Sequence, residues 1–142
     1  MKDKARIIEN VHTLFNFIGA RQLNAMTSYL RGEEGDHFEA KFEEYAERVR
    51  NMPKTYEQDG KGDEAIVYLH YFHPNGFDWY ITEKDMGDGT GDETQYQAFG
   101  YADMGCPELG YISIAELVEN NVEFDLFWTP RTLGEVKRER GE

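Results

Sequence analysis

The sequence has a single cysteine, Cys106, among its 142 residues, so no disulfide can form within the chain. It has no apolar run near the roughly 18 residues that a membrane-spanning helix needs. A basic start followed by a long apolar stretch, which is typical of secretory signals, is also missing. We therefore expect a cytoplasmic protein that does not contact a membrane.

Positive charge is scarce as well. The chain has 15 Lys and Arg residues against 28 Asp and Glu residues, which gives a formal net charge of −13. Residues 61–130 carry most of this excess, because Lys61 and Lys84 are the only basic residues among them. Such a field repels nucleic acid and attracts cationic partners. We therefore expect no direct binding to nucleic acid and predict a partner with a basic protein surface.

Catalytic, cofactor and metal motifs are absent. His70 and His73 are three residues apart, which places them on opposite faces of a regular strand, where they cannot share a metal. The acidic loop DMGDGTGDE resembles a calcium loop, but counted from Asp88 its sixth position is Glu93, where an EF-hand requires glycine. The sequence therefore predicts no catalytic residue, no cofactor and no metal site.

The chain does have enough apolar side chains for a core. Hydrophobic residues make up 39% of it, including nine Phe, nine Tyr and two Trp. In the first part these residues recur at helical spacing, which predicts helices over 7–18, 21–30 and 36–52. Asp36 and Glu39 form an acidic variant of a capping box at the start of the third helix, and Gly19 suits the end of the first.

In the second part the apolar period changes to two, which indicates strands. A capping box formed by Ser113 and Glu116 predicts a helix over Ile114–Glu119, and Thr129 with Pro130 predicts the start of a last helix. The turn HPNG predicts a hairpin between the first two strands. The predicted strands are 65–72, 78–83, 95–102, 109–113 and 122–128.

These patterns predict an α+β fold with N-terminal helices and a mainly antiparallel sheet. Helices would cover one face of the sheet, and the other face would be open to water and acidic. The predicted regions are three helices in 1–53, a linker at 54–64, an α+β region at 65–136 and a charged tail at 137–142.

Three segments, DWYITEKD, FGYADMGCPELGYISIAEL and DLFWTPRTLGEV, resemble the DUF2958 family of uncharacterised proteins in order and spacing. The resemblance covers about residues 65–136, and its most specific part is PELGYISIAEL. It implies an origin in a mobile element such as a conjugative plasmid or a phage, often beside anti-restriction genes. It implies no catalytic residues, and it does not extend to the helical first part.

Carboxylates from several elements are the candidate partner-binding surface. Glu39, Glu43 and Glu47 form a stripe with a spacing of about 6 Å along one helix, which alone is typical of a solvated helix face. We predict that further carboxylates join the stripe in one acidic patch. The predicted surface comprises Glu39, Glu43, Glu47, Asp85, Asp88, Asp92, Glu93, Glu123 and Asp125.

The function predicted from this surface is that of a non-enzymatic acidic binding protein of a mobile element. Acting as a DNA mimic, it would occupy the basic nucleic-acid-binding surface of a host CRISPR or restriction complex, as an anti-CRISPR or anti-restriction inhibitor. One alternative is an accessory factor that binds replication or transfer proteins of the element. Others are a small enzyme that uses carboxylates such as Asp103 or Glu108, and a charge that serves solubility alone.

Overall fold

The computed structural model describes residues 3–90 and 92–142, and there it shows an α+β fold with five α-helices and seven strands. The helices are α1 (Lys4–Leu14), α2 (Ala20–Tyr29), α3 (Gly35–Asn51), α4 (Ile114–Glu119) and α5 (Leu133–Glu139). The strands are β1 (Ile66–Val67), β2 (Leu69–Phe72), β3 (Asp78–Glu83), β4 (Ala98–Asp103), β5 (Pro107–Ile112), β6 (Glu123–Phe124) and β7 (Arg131–Thr132). A short 3₁₀ helix spans Gly62–Glu64.

Five strands form an antiparallel sheet in the order β5-β4-β3-β2-β6, and β1 pairs with β7 in a small second sheet. The predicted hairpin of β2 and β3 is confirmed, with His70 opposite Tyr80. Gly76 closes its turn with φ +97°, a conformation that favours glycine. Gly100 is required for a different reason, because a Cβ there would overlap the carbonyl of Tyr80 on the neighbouring strand.

The first face of the sheet packs on the helices, as predicted. Phe42, Tyr45 and Val49 of α3 are buried in the same cluster as Tyr71 of β2. The Tyr71 hydroxyl donates a hydrogen bond to the carbonyl of Phe17, between α1 and α2. The N-terminal helices and the sheet therefore share one hydrophobic core.

The second face was predicted to be open to water, and at its centre this is wrong. Tyr80 and Tyr101 form a second buried cluster with Trp128, Leu133 and Val136. The last helix, α5, thus lies over the middle of this face. Apolar side chains of this face remain exposed or partly exposed toward β4 and β5, where Phe99, Leu109 and Tyr111 share it, and at Phe72 of β2.

The predicted linker 54–64 packs against the sheet. Thr55 and Gln58 are buried in it. The Gln58 amide nitrogen donates to the carbonyls of Ile66 and Thr82, and its oxygen accepts from the Ile66 N–H at 2.8 Å. The side chain of Gln58 therefore makes the backbone contacts that a neighbouring strand would make.

Some predicted boundaries are wrong because pairing with distant strands decides them. The strand predicted over 65–72 divides at Tyr68, since β1 pairs with β7 whereas β2 pairs with β3 and β6. The strand predicted over 122–128 is only β6, because the chain turns at Asp125, whose carboxylate accepts from the Phe127 N–H. The last helix begins after Thr132, which caps it, and not at Thr129.

Two predicted helix boundaries also differ. The helix α3 begins at Gly35, so Asp36 lies in its first turn and is not its cap. Gly19 precedes α2 as its N-terminal cap residue, whereas α1 ends at Leu14. The predicted capping box at Ser113 is confirmed, because its hydroxyl accepts a hydrogen bond from the Glu116 N–H.

The two edges of the five-stranded sheet differ. At β6 the Gln22 side chain of α2 donates to the Phe124 carbonyl and accepts from its N–H, both at 2.8 Å. The β5 edge has no such cover, because the backbone of Pro107–Ile112 bonds only to β4 within the described residues. One edge of the sheet is therefore closed and the other is open.

Within residues 3–90 and 92–142, none of the helices combines the length and the apolar character that crossing a membrane requires.

Candidate functional site

The predicted stripe on α3 lies against basic side chains of α1 and of α3 itself. Arg6 of α1 bonds Glu43 at 2.7 Å and Glu47 at 2.5 Å, and Arg50 bonds Glu47 at 2.9 Å. The hydrogen bond from Arg6, followed by one from Asn10, lowers the pKa of Glu43 to about 2. Glu43 and Glu47 are therefore largely neutralised by their neighbours.

Arg6 and Asn10 are residues whose role the sequence analysis missed. They are four residues apart on α1 and flank the side of the helix that buries Ile7 and Leu14. That spacing could have indicated polar groups facing another helix. The carboxylate of Glu39, the third member of the stripe, makes no hydrogen bond within the described part of the chain. With Asp3 and Asp36 it lines a cleft of about 370 Å³ between α1 and α3.

The acidic loop after β3 is held by its own carboxylates. Asp85 accepts hydrogen bonds from the backbone N–H groups of Gly87, Tyr96 and Gln97. This pattern closes the loop at its base, where no cation is needed. Asp85 is thus a structural residue of the loop.

The tip of the loop carries exposed carboxylates. Hydrogen bonds from the Thr90 hydroxyl and backbone lower the pKa of Asp88, and those from Thr94 lower the pKa of Asp92. No salt bridge involves Asp88, Asp92 or Glu93 among the described residues, and all three are exposed. These three side chains are therefore open to a partner.

The last two predicted residues lie at β6 and differ from each other. Glu123 is exposed on the strand. Asp125 is partly buried and bonds His70 Nδ1 at 2.8 Å. Burial opposes ionisation of Asp125, but the hydrogen bonds from His70 and from the Phe127 N–H, together with the charges nearby, outweigh it and hold the pKa of the carboxyl below its ordinary value. Asp125 is therefore engaged inside the protein.

His70 belongs to a network that links several strands to α5. Its Nε2 lies 2.7 Å from Asp78, so both ring nitrogens face carboxylates. The imidazole stacks on Tyr80 with ring centroids 4.7 Å apart and an interplanar angle of 10°. Arg140, the C-cap residue of α5, bonds Asp78 at 3.1 Å and also Asp103. Both nitrogens of His70 are therefore engaged within the protein.

A second cleft, which the sequence analysis missed, lies beside β5. Its volume is about 410 Å³, and segment 56–62 forms one wall. Glu83 lies at its base and is 4% exposed. The Glu83 carboxylate accepts from the N–H groups of Tyr56 at 2.9 Å and Gln58 at 2.7 Å. At the rim, the hydroxyls of Tyr56 and Tyr111 are hydrogen-bonded to each other.

The structure therefore divides the nine predicted residues into groups. Glu43, Glu47 and Asp125 are paired with basic side chains, and Asp85 holds its loop. Five residues remain: Glu39, Asp88, Asp92, Glu93 and Glu123. They are exposed or partly exposed, and they form no salt bridge within the described residues. The nine do not form one surface of unpaired carboxylates.

Comparison with protein-family models, with curated proteins and with solved structures found no match for this chain. Among the described residues, no group of three or more His, Cys, Asp or Glu side chains is arranged to hold a metal ion.

Proposed function

We propose that this protein is a non-enzymatic acidic binding protein that engages a basic surface of a protein partner in the cytoplasm. The observation that carries the proposal is the large number of carboxylates without a basic neighbour. In the part of the chain that the structure describes, salt bridges with Lys, Arg or His involve ten of the 28 acidic residues. Within the described residues these are Glu9, Glu43, Glu44, Glu47, Asp63, Asp78, Asp103, Asp125, Glu139 and Glu142.

Exposed carboxylates outside these ion pairs occur on several elements. One group follows α2 and includes Glu33 and Asp36 beside Glu39. Another is the tip of the acidic loop, and a third lies near Asp59 and Glu64. Unpaired charges of one sign produce a field that draws basic partners and speeds association. The field is weaker at high salt, because the Debye length falls to about 3 Å at 1 M.

The basic surface that we propose is the nucleic-acid channel of a host defence complex, of the CRISPR or restriction type. Such channels are lined with Lys and Arg that neutralise phosphates, so a carboxylate-rich protein can compete for them. The resemblance to the DUF2958 family supports this choice, since it implies a mobile element that such complexes attack.

The test is competition for purified CRISPR effector complexes and restriction enzymes over a salt series. We expect the protein to displace DNA from one of them, with an affinity that falls as salt rises. If the protein binds none of them, the proposal is contradicted. Binding that is insensitive to salt also contradicts it.

Matched charge variants sharpen this test. The triple variant Asp88→Asn, Asp92→Asn, Glu93→Gln removes three unpaired charges. The control variant Glu9→Gln, Glu44→Gln, Glu139→Gln removes three charges that already have basic partners. We expect the first variant to weaken competition more than the second, and equal effects contradict a role for the unpaired carboxylates.

A further inference from the structure

We infer that the open β5 edge and the cleft beside it form a docking site for an extended, basic segment of a protein partner, which adds to the sheet as a sixth strand. This inference rests on the proposed function and deepens it, because it gives the partner a conformation and a point of contact. Proteins recognise extended peptides in this way when a sheet edge offers unpaired backbone groups.

The β5 edge lacks most of the devices that prevent such pairing. Natural edge strands are often shortened, bulged or protected by lysine. The strand β5 has six residues and no lysine, and its register with β4 runs without a shift from Ala98↔Ile112 to Asp103↔Pro107. Proline occurs only at its first position, Pro107. The other edge, β6, has two residues and is covered by Gln22. The fold therefore leaves one long edge open.

The side chains next to this edge form an apolar platform. Leu109 and Tyr111 project from alternate positions of β5 onto the second face and are 49% and 57% exposed. Phe99 of β4 packs edge-on against Tyr111, with ring centroids 5.8 Å apart. The added strand would place alternate side chains over this platform. Their neighbours there would be the tyrosine rings at the rim of the cleft.

The charge of the cleft selects a basic side chain. Glu83 is buried at its base with backbone N–H groups as partners, and no salt bridge to it exists among the described residues. Asp59 lines the same cleft, and Glu108 is exposed on β5. Aromatic rings and carboxylates together favour a cation. Lys and Arg also have apolar stems that can lie along the tyrosine rings.

The conformation of Tyr56 supports a binding role for this wall. Its backbone φ is +79°, a value that residues other than glycine rarely adopt. The two N–H groups that bond Glu83 hold the segment in this shape. Such strained positions occur often at ligand-binding sites.

A second copy of the chain is a poorer occupant of the edge. Each copy carries a formal net charge of −13, so pairing two β5 strands would bring two strongly acidic molecules together. Like charges brought together at an interface oppose association. Charge complementarity therefore favours a basic partner.

Binding of short synthetic peptides tests the inference. The probe is the peptide Thr-Lys-Val-Lys-Val-Lys-Thr, which alternates basic and β-branched residues. Two controls accompany it: the same peptide with glutamate for lysine, and the lysine peptide with N-methyl groups on alternate backbone nitrogens. Calorimetry gives the affinity, and the amide resonances of residues 107–112 report the position.

We expect the lysine peptide to bind at least about tenfold more tightly than either control. Its binding should shift the amide resonances of β5 and slow their hydrogen exchange. Equal affinity of the N-methylated peptide means that charge alone drives binding, which overturns the inference. Unchanged β5 resonances also overturn it.

A pair of variants locates the site. Leu109→Lys places a positive charge on the open edge, and Ile8→Lys makes the same change at an exposed site on α1, which does not line the cleft. We expect Leu109→Lys to weaken binding of the lysine peptide about tenfold, whereas Ile8→Lys should leave the affinity nearly unchanged. The melting temperature of both variants should stay close to that of the wild type. Equal affinities of the two variants overturn the inference, and so does a concentration-dependent dimer that Leu109→Lys dissolves.

The two proposals fail separately. If a defence complex is inhibited but the lysine peptide does not bind β5, the docking inference is wrong and the proposed function stands. If the peptide binds β5 but the protein inhibits no defence complex, the proposed function is wrong and the docking site has another basic partner.

Discussion

Two polar networks tie distant parts of the chain together, one between α1 and α3 and one on the second face of the sheet. They differ in burial. In the helical network the Arg6 and Glu43 side chains are 35% and 45% exposed, whereas on the sheet His70 and Asp125 are 12% and 20% exposed. Water screens the first network, and aromatic rings exclude water from the second. We therefore expect the sheet network to contribute more to stability.

The largest effect is expected from His70→Leu. It leaves Asp78 and Asp125 partly buried without the imidazole that lies between them, which should lower the free energy of unfolding by about 2–3 kcal/mol. Urea denaturation at neutral pH measures it. The control His12→Leu, at an exposed position of α1, should change the value by about 0.5 kcal/mol or less. Equal losses in both variants would show that the network adds nothing.

A smaller loss is expected from Arg140→Met. This change removes the cation that joins α5 to Asp78 and Asp103 and should cost about 1–2 kcal/mol. Hydrogen exchange at the amides of α5 should become faster, because the helix loses an anchor to the sheet. Arg138→Met, at an exposed position of the same helix, is the matched control. Unchanged exchange in Arg140→Met contradicts the anchoring role.

A still smaller effect is expected from Arg6→Met in the helical network. Because its partners are exposed, we expect a fall in melting temperature of only a few degrees. The difference from the wild type should shrink in about 1 M salt, which screens exposed ion pairs. Lys4→Met serves as the control, since Lys4 forms no salt bridge within the described residues. A loss as large as that of His70→Leu would reverse the ranking of the two networks.

The smallest effect is a change in pH dependence in Glu43→Gln. Folding lowers the pKa of Glu43 from its ordinary 4.5 to about 2, so its contribution to stability is present above pH 4.5. That contribution is lost as the pH falls toward 2. The variant should therefore lose stability less steeply than the wild type over this range. Thermal melts between pH 5 and 2 measure the slope.

The sequence predicted elements well where local chemistry decides them. The strand Asp78–Glu83 and the helix Ile114–Glu119 agree to the residue, because a turn and a capping box next to them fix their ends. The division at Tyr68 could not be predicted in this way. It depends on pairing with β7, which lies more than 60 residues later in the sequence.

The same limit applies to the acidic surface. The carboxylates of α3 repeat every four residues, which correctly indicates one helix face. Their neutralisation depends on Arg6, which is 37 residues away from Glu43 in sequence. Net charge and spacing give the number of carboxylates on a face, and only the packing of helices shows which of them have partners.

The side chain of Gln22 has a consequence for the lifetime of the protein in solution. Its amide both donates to and accepts from Phe124, so conversion to glutamate would leave an acceptor where a donor is needed. A molecule with one open edge can pair only once, but a molecule with two can add neighbours on both sides without end. Deamidation at this single position would therefore weaken the cover of the β6 edge and favour open-ended association through both edges.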